Sequence, residues 1–266
     1  MEEFRRRDAN GGPAERTSTP HFEPLDLPDL DRTALFLDFD GTLVEIAARP
    51  DAVELPPGTE TLLARLRAAS GNATAIVSGR GLADLERMLP DYDGILVGSH
   101  GAERRIEGKR SVVDHGQGDT LRTVRDELAA WTDRNDGLLL EEKPASLVLH
   151  YRAAPDREAD CAAMLDEMAR HLTGFVVRPS KMALELMPET VSKSDAVRHL
   201  METWQGRVPV AIGDDRTDEE MFAVADELGG LAIKVGDGDT SAACRVPDVP
   251  AVHDTLARWA DRAEDA

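Results

Sequence analysis

The amino-acid sequence predicts an α/β protein in which a doubly wound parallel sheet carries an inserted α+β cap. Three observations lead there. Short runs that are apolar on both faces ("ALFLDF", "ATAIVS", "GILVG", "VPVAIG", "LAIKV") have strand length and alternate with amphipathic segments, the pattern of a parallel sheet held between helix layers. Between residues 104 and 187 this alternation gives way to paired strands around turns and one amphipathic helix, the pattern of an antiparallel sheet with helices on one face. The apolar runs also stop at charged or hydroxyl residues, where the strands of an open α/β sheet meet their ligands.

Residues 1–30 open with "MEEFRRRDANGGPAERTSTP" and are rich in charge, Gly, Pro, Ser and Thr without periodicity, which predicts a flexible leader. A Rossmann-like core is expected over 31–103 and 188–266, and the cap over 104–187. "ALFLDF" is the first strand. The segment "GTETLLARLRAAS" places Leu62, Leu63 and Leu66 on one helix face, and "GLADLERMLP" does the same over a shorter span. In the cap, "GLLLEEKPASLVLHYR" reads as two strands about a Lys143-Pro144 turn, and "FVVRPSKMALELMP" as two more about Pro179-Ser180. "DREADCAAMLDEMARHL" between them is an amphipathic helix. The core resumes with the helix "SKSDAVRHLMETW", the strand "VPVAIG", the helix "TDEEMFAVADEL" and the strand "LAIKV". Thr217 and Glu220 have the spacing of a capping box.

Composition narrows the function classes. With 31 basic against 51 acidic residues the formal charge is -20, and such a field repels phosphate backbones and anionic lipid surfaces, so neither nucleic acid nor membrane is expected as a partner. Lysine occurs only at 109, 143, 181, 193 and 234; this balance suits a high-salt interior as well as it suits an ordinary acidic protein. No apolar stretch has the roughly 18 residues of a membrane span, nor does the N-terminus resemble a secretory signal, so a cytoplasmic location is expected. Cys161 and Cys244 lack metal-ligand spacing and are read as unpaired thiols.

The strand ends carry the chemistry. Asp38 and Asp40 terminate a fully apolar strand, with Gly41 and Thr42 allowing a tight turn. Two carboxylates there cost several kcal/mol if buried unpaired, on the order of 3–5 kcal/mol, which a cation or a catalytic role offsets. Ser78 ends the second strand, Asp214, Asp215 and Asp218 follow "VPVAIG", and Lys193 opens a helix. Each has a plainer reading: Ser78 as a cap, Lys193 as a solvated helix residue, the aspartates as favourable charge at a helix N-terminus. Together they make a hard-cation site suited to Mg²⁺, with Ser78 and Lys193 cradling a phosphoryl group. Asp38 is then the nucleophile, and Asp40 the acid and base.

The motifs "LDFDGT", "IVSGR", "SKSDA" and "GDDRTDEEMF" resemble those of the haloacid dehalogenase-like superfamily of aspartate-nucleophile phosphatases. "GSHGAE", "LHYR" and "KMALELMP" extend the resemblance, from about residue 33 to about 255, to the trehalose-6-phosphate phosphatase family. It implies hydrolysis of trehalose 6-phosphate through an aspartyl-phosphate, with Mg²⁺ at Asp38, the backbone of Asp40 and Asp214; the adjacent Asp215 is expected as a further metal residue. It also implies sugar contacts from Glu103, Lys181 and Glu185; beside them Arg80, His100, Gly101, His150 and Arg152 are read as further substrate contacts. His100 can equally be a satisfied loop histidine, and structural ion pairs are the commoner fate of residues such as Arg80, His150 and Arg152. Ser194 departs from the family, which has glycine there. Any trehalose-6-phosphate synthase partner is expected on a separate chain. The rival readings are a phosphatase for sucrose phosphate or mannosyl-3-phosphoglycerate, and a non-catalytic sugar-phosphate sensor, against which the intact Asp38 and Asp40 count.

Overall fold

A computed structural model describes residues 29–47, 52–113, 116, 118–180 and 182–265. Most of the expected leader, and Lys181, lie outside the described residues. The chain enters through β1 (Thr33–Leu37), α1 (Thr59–Ala69), β2 (Thr74–Val77), α2 (Leu82–Met88) and β3 (Ile95–Gly98). A hairpin of β4 (Glu103–Ile106) and β5 (Lys109–Val112) follows. Next come α3 (Gly118–Thr132), β6 (Leu139–Glu142), β7 (Leu147–His150), α4 (Glu158–Ala169), β8 (Phe175–Ser180) and β9 (Ala183–Pro188). The chain returns with α5 (Lys193–Thr203), β10 (Val208–Gly213), α6 (Glu219–Glu227), β11 (Leu231–Val235), β12 (Cys244–Val246) and α7 (Val249–Glu264).

The core sheet has the order β12-β11-β10-β1-β2-β3-β4-β5, parallel from β12 to β3 and antiparallel through the hairpin. Strand order reverses between β1 and β10, which pair from Thr33↔Val208 to Leu37↔Ile212. β1 is buried throughout because its two faces serve different layers. Leu35 and Leu37 join a cluster with Leu63, Leu85, Leu256 and Trp259, from the α1, α2 and α7 side. Ala34 and Phe36 join Val197, Leu200 and Phe222, from the α5 and α6 side. Alternate residues of one strand thus anchor two helix layers.

The insertion is a four-stranded antiparallel sheet, β6-β7-β9-β8. Leu121 and Leu128 of α3 and Leu165 of α4 pack on it with Leu149 and Leu186. Three expectations differ from what is observed. The segment 104–112, assigned by sequence to the cap, forms with Glu103 a hairpin that extends the core sheet through β3–β4 pairing. No turn forms at Pro179-Ser180, because both residues still belong to the strand and pair with Leu184 and Ala183. The capping box does not form: the Thr217 hydroxyl donates to Asp215 Oδ1 at 2.7 Å, and Glu220 instead accepts from Arg178 of the cap at 3.1 Å. No helix among the described residues is long and apolar enough to cross a membrane. Cys161 and Cys244 are free thiols.

Candidate active site

The reversal between β1 and β10 opens a crevice at their carboxyl ends, where parallel α/β sheets place ligands. Asp38 follows β1, Asp214 follows β10, and Asp218 stands just before α6. One oxygen from each of these three carboxylates lies within 4.8 Å of the other two. The approach depends on Gly41, whose φ of +81° is the left-handed turn, and where a Cβ would overlap the Asp214 carboxylate. Asp218 fixes the second loop by accepting from the amides of Asp214 at 2.9 Å and Asp215 at 3.0 Å. Lys193 spans the crevice, donating to Asp38 Oδ1 at 2.6 Å and Asp218 Oδ1 at 2.7 Å. It is delivered at the first position of α5, where the Ser192 hydroxyl caps the helix by accepting from the Asp195 amide. Ser194 joins that cap, its hydroxyl 2.7 Å from that of Ser192.

Crowding and burial set the charge states. Burial, then the neighbouring Asp218, push Asp38 well above the ordinary carboxylate range against the pull of Lys193. Burial together with Asp218 and Asp215 raises Asp214 to about 7, and burial raises Asp218 as well. Burial opposes the charge on Lys193, but Asp38, Asp218 and Asp215 outweigh it and raise its pKa. Crowded carboxylates held above their ordinary range are a donor set that a hard divalent cation relieves, so these all-oxygen ligands fit such an ion. Asp38, Asp214 and Asp218 would hold it. Asp215, expected as a metal residue beside Asp214, turns to its own loop, accepting from the amide and hydroxyl of Thr217 at 2.7 Å. Burial would raise Asp215, but Lys193 and the Thr217 bonds hold it below the usual value.

Asp40 and Ser78 lie beside this cluster. The Asp40 carboxylate receives both arms of Arg80, at 2.6 Å each. Ser78 is buried, and its Oγ accepts from the Arg80 amide at 3.1 Å.

The cap presents Glu185 of β9 to the crevice, 4% exposed. Its Oε1 accepts from Ser146 Oγ at 2.5 Å and Lys143 Nζ at 3.3 Å, and its Oε2 lies 3.9 Å from His100 Nε2. Lys143 also reaches the Gly79 carbonyl of the core at 3.4 Å. His100 has a left-handed φ of 55°, and its ring lies over Gly79. Burial lowers its pKa to about 4 despite Glu185, so the imidazole at the cap–core junction is neutral near pH 7. Gly101 continues the same short turn with its α-carbon against the Ser192 carbonyl. Glu103 faces inward: its Oε2 accepts from Ser99 Oγ at 2.5 Å and the Leu82 amide at 3.2 Å, tying the turn to the start of α2. Arg152 is exposed in the turn after β7. Lys143 and Ser146 are the members that the sequence did not single out, whereas Asp218, expected with Asp214 and Asp215, joins the cluster. Lys143 is visible in the sequence only as a turn residue.

The description of the trehalose-phosphatase family matches residues 36–248, from the middle of β1 to the start of α7. The chain belongs to the trehalose-phosphatase family. Within it, the chain is 39% identical over 214 residues to the probable trehalose-phosphate phosphatase of Sinorhizobium fredii, covering 78% of this chain and 79% of that one. It is 37% identical over 235 residues to the trehalose-6-phosphate phosphatase of Escherichia coli K12, covering 86% and 88%. A crystal structure of a trehalose-6-phosphate phosphatase related protein superposes with a TM-score of 0.73 at 29% identity, over 87% of this chain and 98% of the other. In this trehalose-phosphatase chain the carboxylates gather at the ends of the core strands, and the Glu185–Lys143 pair lies on the cap.

Proposed function

We propose that this protein hydrolyses trehalose 6-phosphate to trehalose and phosphate in the cytoplasm, using Mg²⁺ and a covalent aspartyl-phosphate. The observation that carries the reading is the Asp38–Lys193–Asp218 chain at the sheet's reversal point, with Asp214 beside it, beneath a cap that turns Glu185 toward it. An oxygen of Asp38 attacks phosphorus as the ester bond to the sugar breaks. The leaving oxygen keeps the bonding pair and takes a proton from Asp40. Asp40 then accepts a proton from the water that attacks the aspartyl-phosphate, releasing phosphate and restoring Asp38. Lys193 and the Ser78 hydroxyl bind the phosphoryl oxygens, and the ammonium balances charge as they arrive. The cation, when bound at Asp38, Asp214 and Asp218 with the Asp40 backbone and Asp215 nearby, supplies further neutralisation of phosphoryl charge. Glu185 with Lys143 offers both acceptors and donors to sugar hydroxyls, and Lys181, Arg152, His100, Gly101 and Glu103 complete the expected substrate surround. A separate synthase chain would supply the sugar phosphate.

Phosphate release from a panel of sugar phosphates, with Mg²⁺ and with chelator, tests this reading. Trehalose 6-phosphate should give the highest kcat/KM, and chelator should abolish turnover. Preference for sucrose phosphate or mannosyl-3-phosphoglycerate would overturn the substrate. Turnover surviving in Asp38→Asn would overturn the mechanism.

A further inference from the structure

We propose that Arg80 is a positioning residue that aims the carboxylate of Asp40 at the leaving oxygen, rather than a group that binds the sugar phosphate. This rests on the acid and base role given to Asp40 above. Arg80 and Asp40 belong to different strand ends, after β2 and β1, and their side chains meet in a two-point fork with both distances at 2.6 Å. Among the described residues no other side chain is hydrogen-bonded to that carboxylate. The Asp40 side chain is 34% exposed while that of Arg80 is 11% exposed, so the carboxylate faces the crevice and the guanidinium backs it.

Arg80 is itself held at several points. Its guanidinium lies over the buried ring of Phe39, 5.8 Å from the centroid. Its amide donates to Ser78 Oγ at 3.1 Å, and its carbonyl accepts from the Ser99 amide at 2.7 Å. A planar fork restrained in this way fixes the torsion of a short carboxylate, which a flexible ammonium cannot do. The restraint is compatible with both halves of the reaction. When Asp40 carries the proton, one oxygen still accepts an N–H while the other donates to the leaving oxygen; when it is ionised, both arms engage as it receives the proton of water.

The test uses a series of substituted phenyl phosphates, which carry no sugar and whose leaving phenols differ in acidity. A poorly acidic phenol needs the proton from Asp40, and an acidic one departs as the anion. The dependence of kcat/KM on phenol acidity therefore reports proton delivery, and kcat/KM excludes the later hydrolysis of the intermediate. Arg80→Gln should steepen that dependence, with a loss of about tenfold or more on the least acidic phenol and a several-fold smaller loss on the most acidic. Asp40→Asn should steepen it in the same sense, and the double variant should fall no further than Asp40→Asn. A uniform loss across the series, or losses that multiply in the double variant, would show that Arg80 acts on the phosphate and overturn the inference alone. An unchanged slope in Asp40→Asn would overturn the acid role and this inference with it. Should Arg80→Gln fail to fold, Arg80→Lys keeps the charge without the fork; it should steepen the slope too, and a slope equal to that of the unaltered protein would be fatal.

Discussion

Replacing Asp214 by Asn in chelator should stabilise the protein by an amount that grows with pH. Burial and the neighbouring Asp218 and Asp215 raise this carboxyl from 3.8 to about 7 in the folded chain. A group whose folded pKa is raised contributes stability that is fully present below its unfolded value and is lost as pH rises through the folded one, because the native state gives up its proton last. Between about pH 5 and pH 7 roughly two units of the shift are lost, about 2.7 kcal/mol at about 1.36 kcal/mol per unit. Partial exposure of Asp214 to solvent reduces this to about 1.5 kcal/mol. Asn mimics the neutral carboxyl and does not titrate, so its advantage over the unaltered protein should widen by about 1.5 kcal/mol across that range, about 3–6 °C in Tm for a chain of this size. His100, lowered to about 4, gives the opposite slope below its unfolded value but is common to both proteins and cancels. Thermal unfolding in chelator at several pH values provides the measurement, repeated with Mg²⁺, which should raise Tm near pH 7 in the unaltered protein and far less in the variant. A difference that stays constant with pH, or narrows, would refute the crowding of carboxylates on which the metal reading depends.

Other consequences are equally direct. Lys193→Met strips the counter-charge from two buried carboxylates and should cost about 3 kcal/mol in urea unfolding; adding Asp218→Asn should recover a good part, and strictly additive losses would argue against the coupling. Gly41→Ala combines a left-handed φ of +81° with overlap on Asp214, so about 1–3 kcal/mol of strain should appear in Tm together with weakened Mg²⁺ binding in a calorimetric titration. A variant that binds Mg²⁺ as before would show that the close approach is dispensable. Glu185→Gln leaves Lys143 without its carboxylate and should raise KM for trehalose 6-phosphate at least about tenfold more than for p-nitrophenyl phosphate. Equal effects on the two substrates would remove Glu185 from sugar reading.

Much of the core was legible because its signals are local. Apolar runs of four to six residues mark β1, β2, β3 and β10, and the residues that end them are where an open sheet places its chemistry. What escaped depended on distant partners. Lys143 reads as a turn residue until it donates to Glu185, 42 residues away in sequence. The segment 103–112 contains Arg104, Arg105, Lys109 and Arg110, too polar to read as core, and is recruited by pairing with the edge of β3. α3 shows three apolar anchors, Leu121, Val124 and Leu128, whose meaning emerges only with a cap sheet beneath them. The capping box failed for a related reason. Thr217 and Glu220 had the right spacing, but a carboxylate next door and an arginine in another domain offered them stronger partners.

The pairing of β1 with β10 joins residues such as Thr33 and Val208 that enter the chain far apart. During synthesis the strand bearing Asp38 therefore emerges long before its neighbour on the Asp214 side, and before Lys193. The nascent chain can settle the β1–β2–β3 half early, since those contacts are nearer in sequence, whereas closing β10 onto β1 is a late, high-contact-order event. Until then the acidic turn has neither its ammonium nor its second loop, so reactivity cannot precede completion of the fold. A polypeptide interrupted anywhere within the inserted cap would carry Asp38, Asp40 and Ser78 but neither Lys193 nor the loop of Asp214 and Asp218.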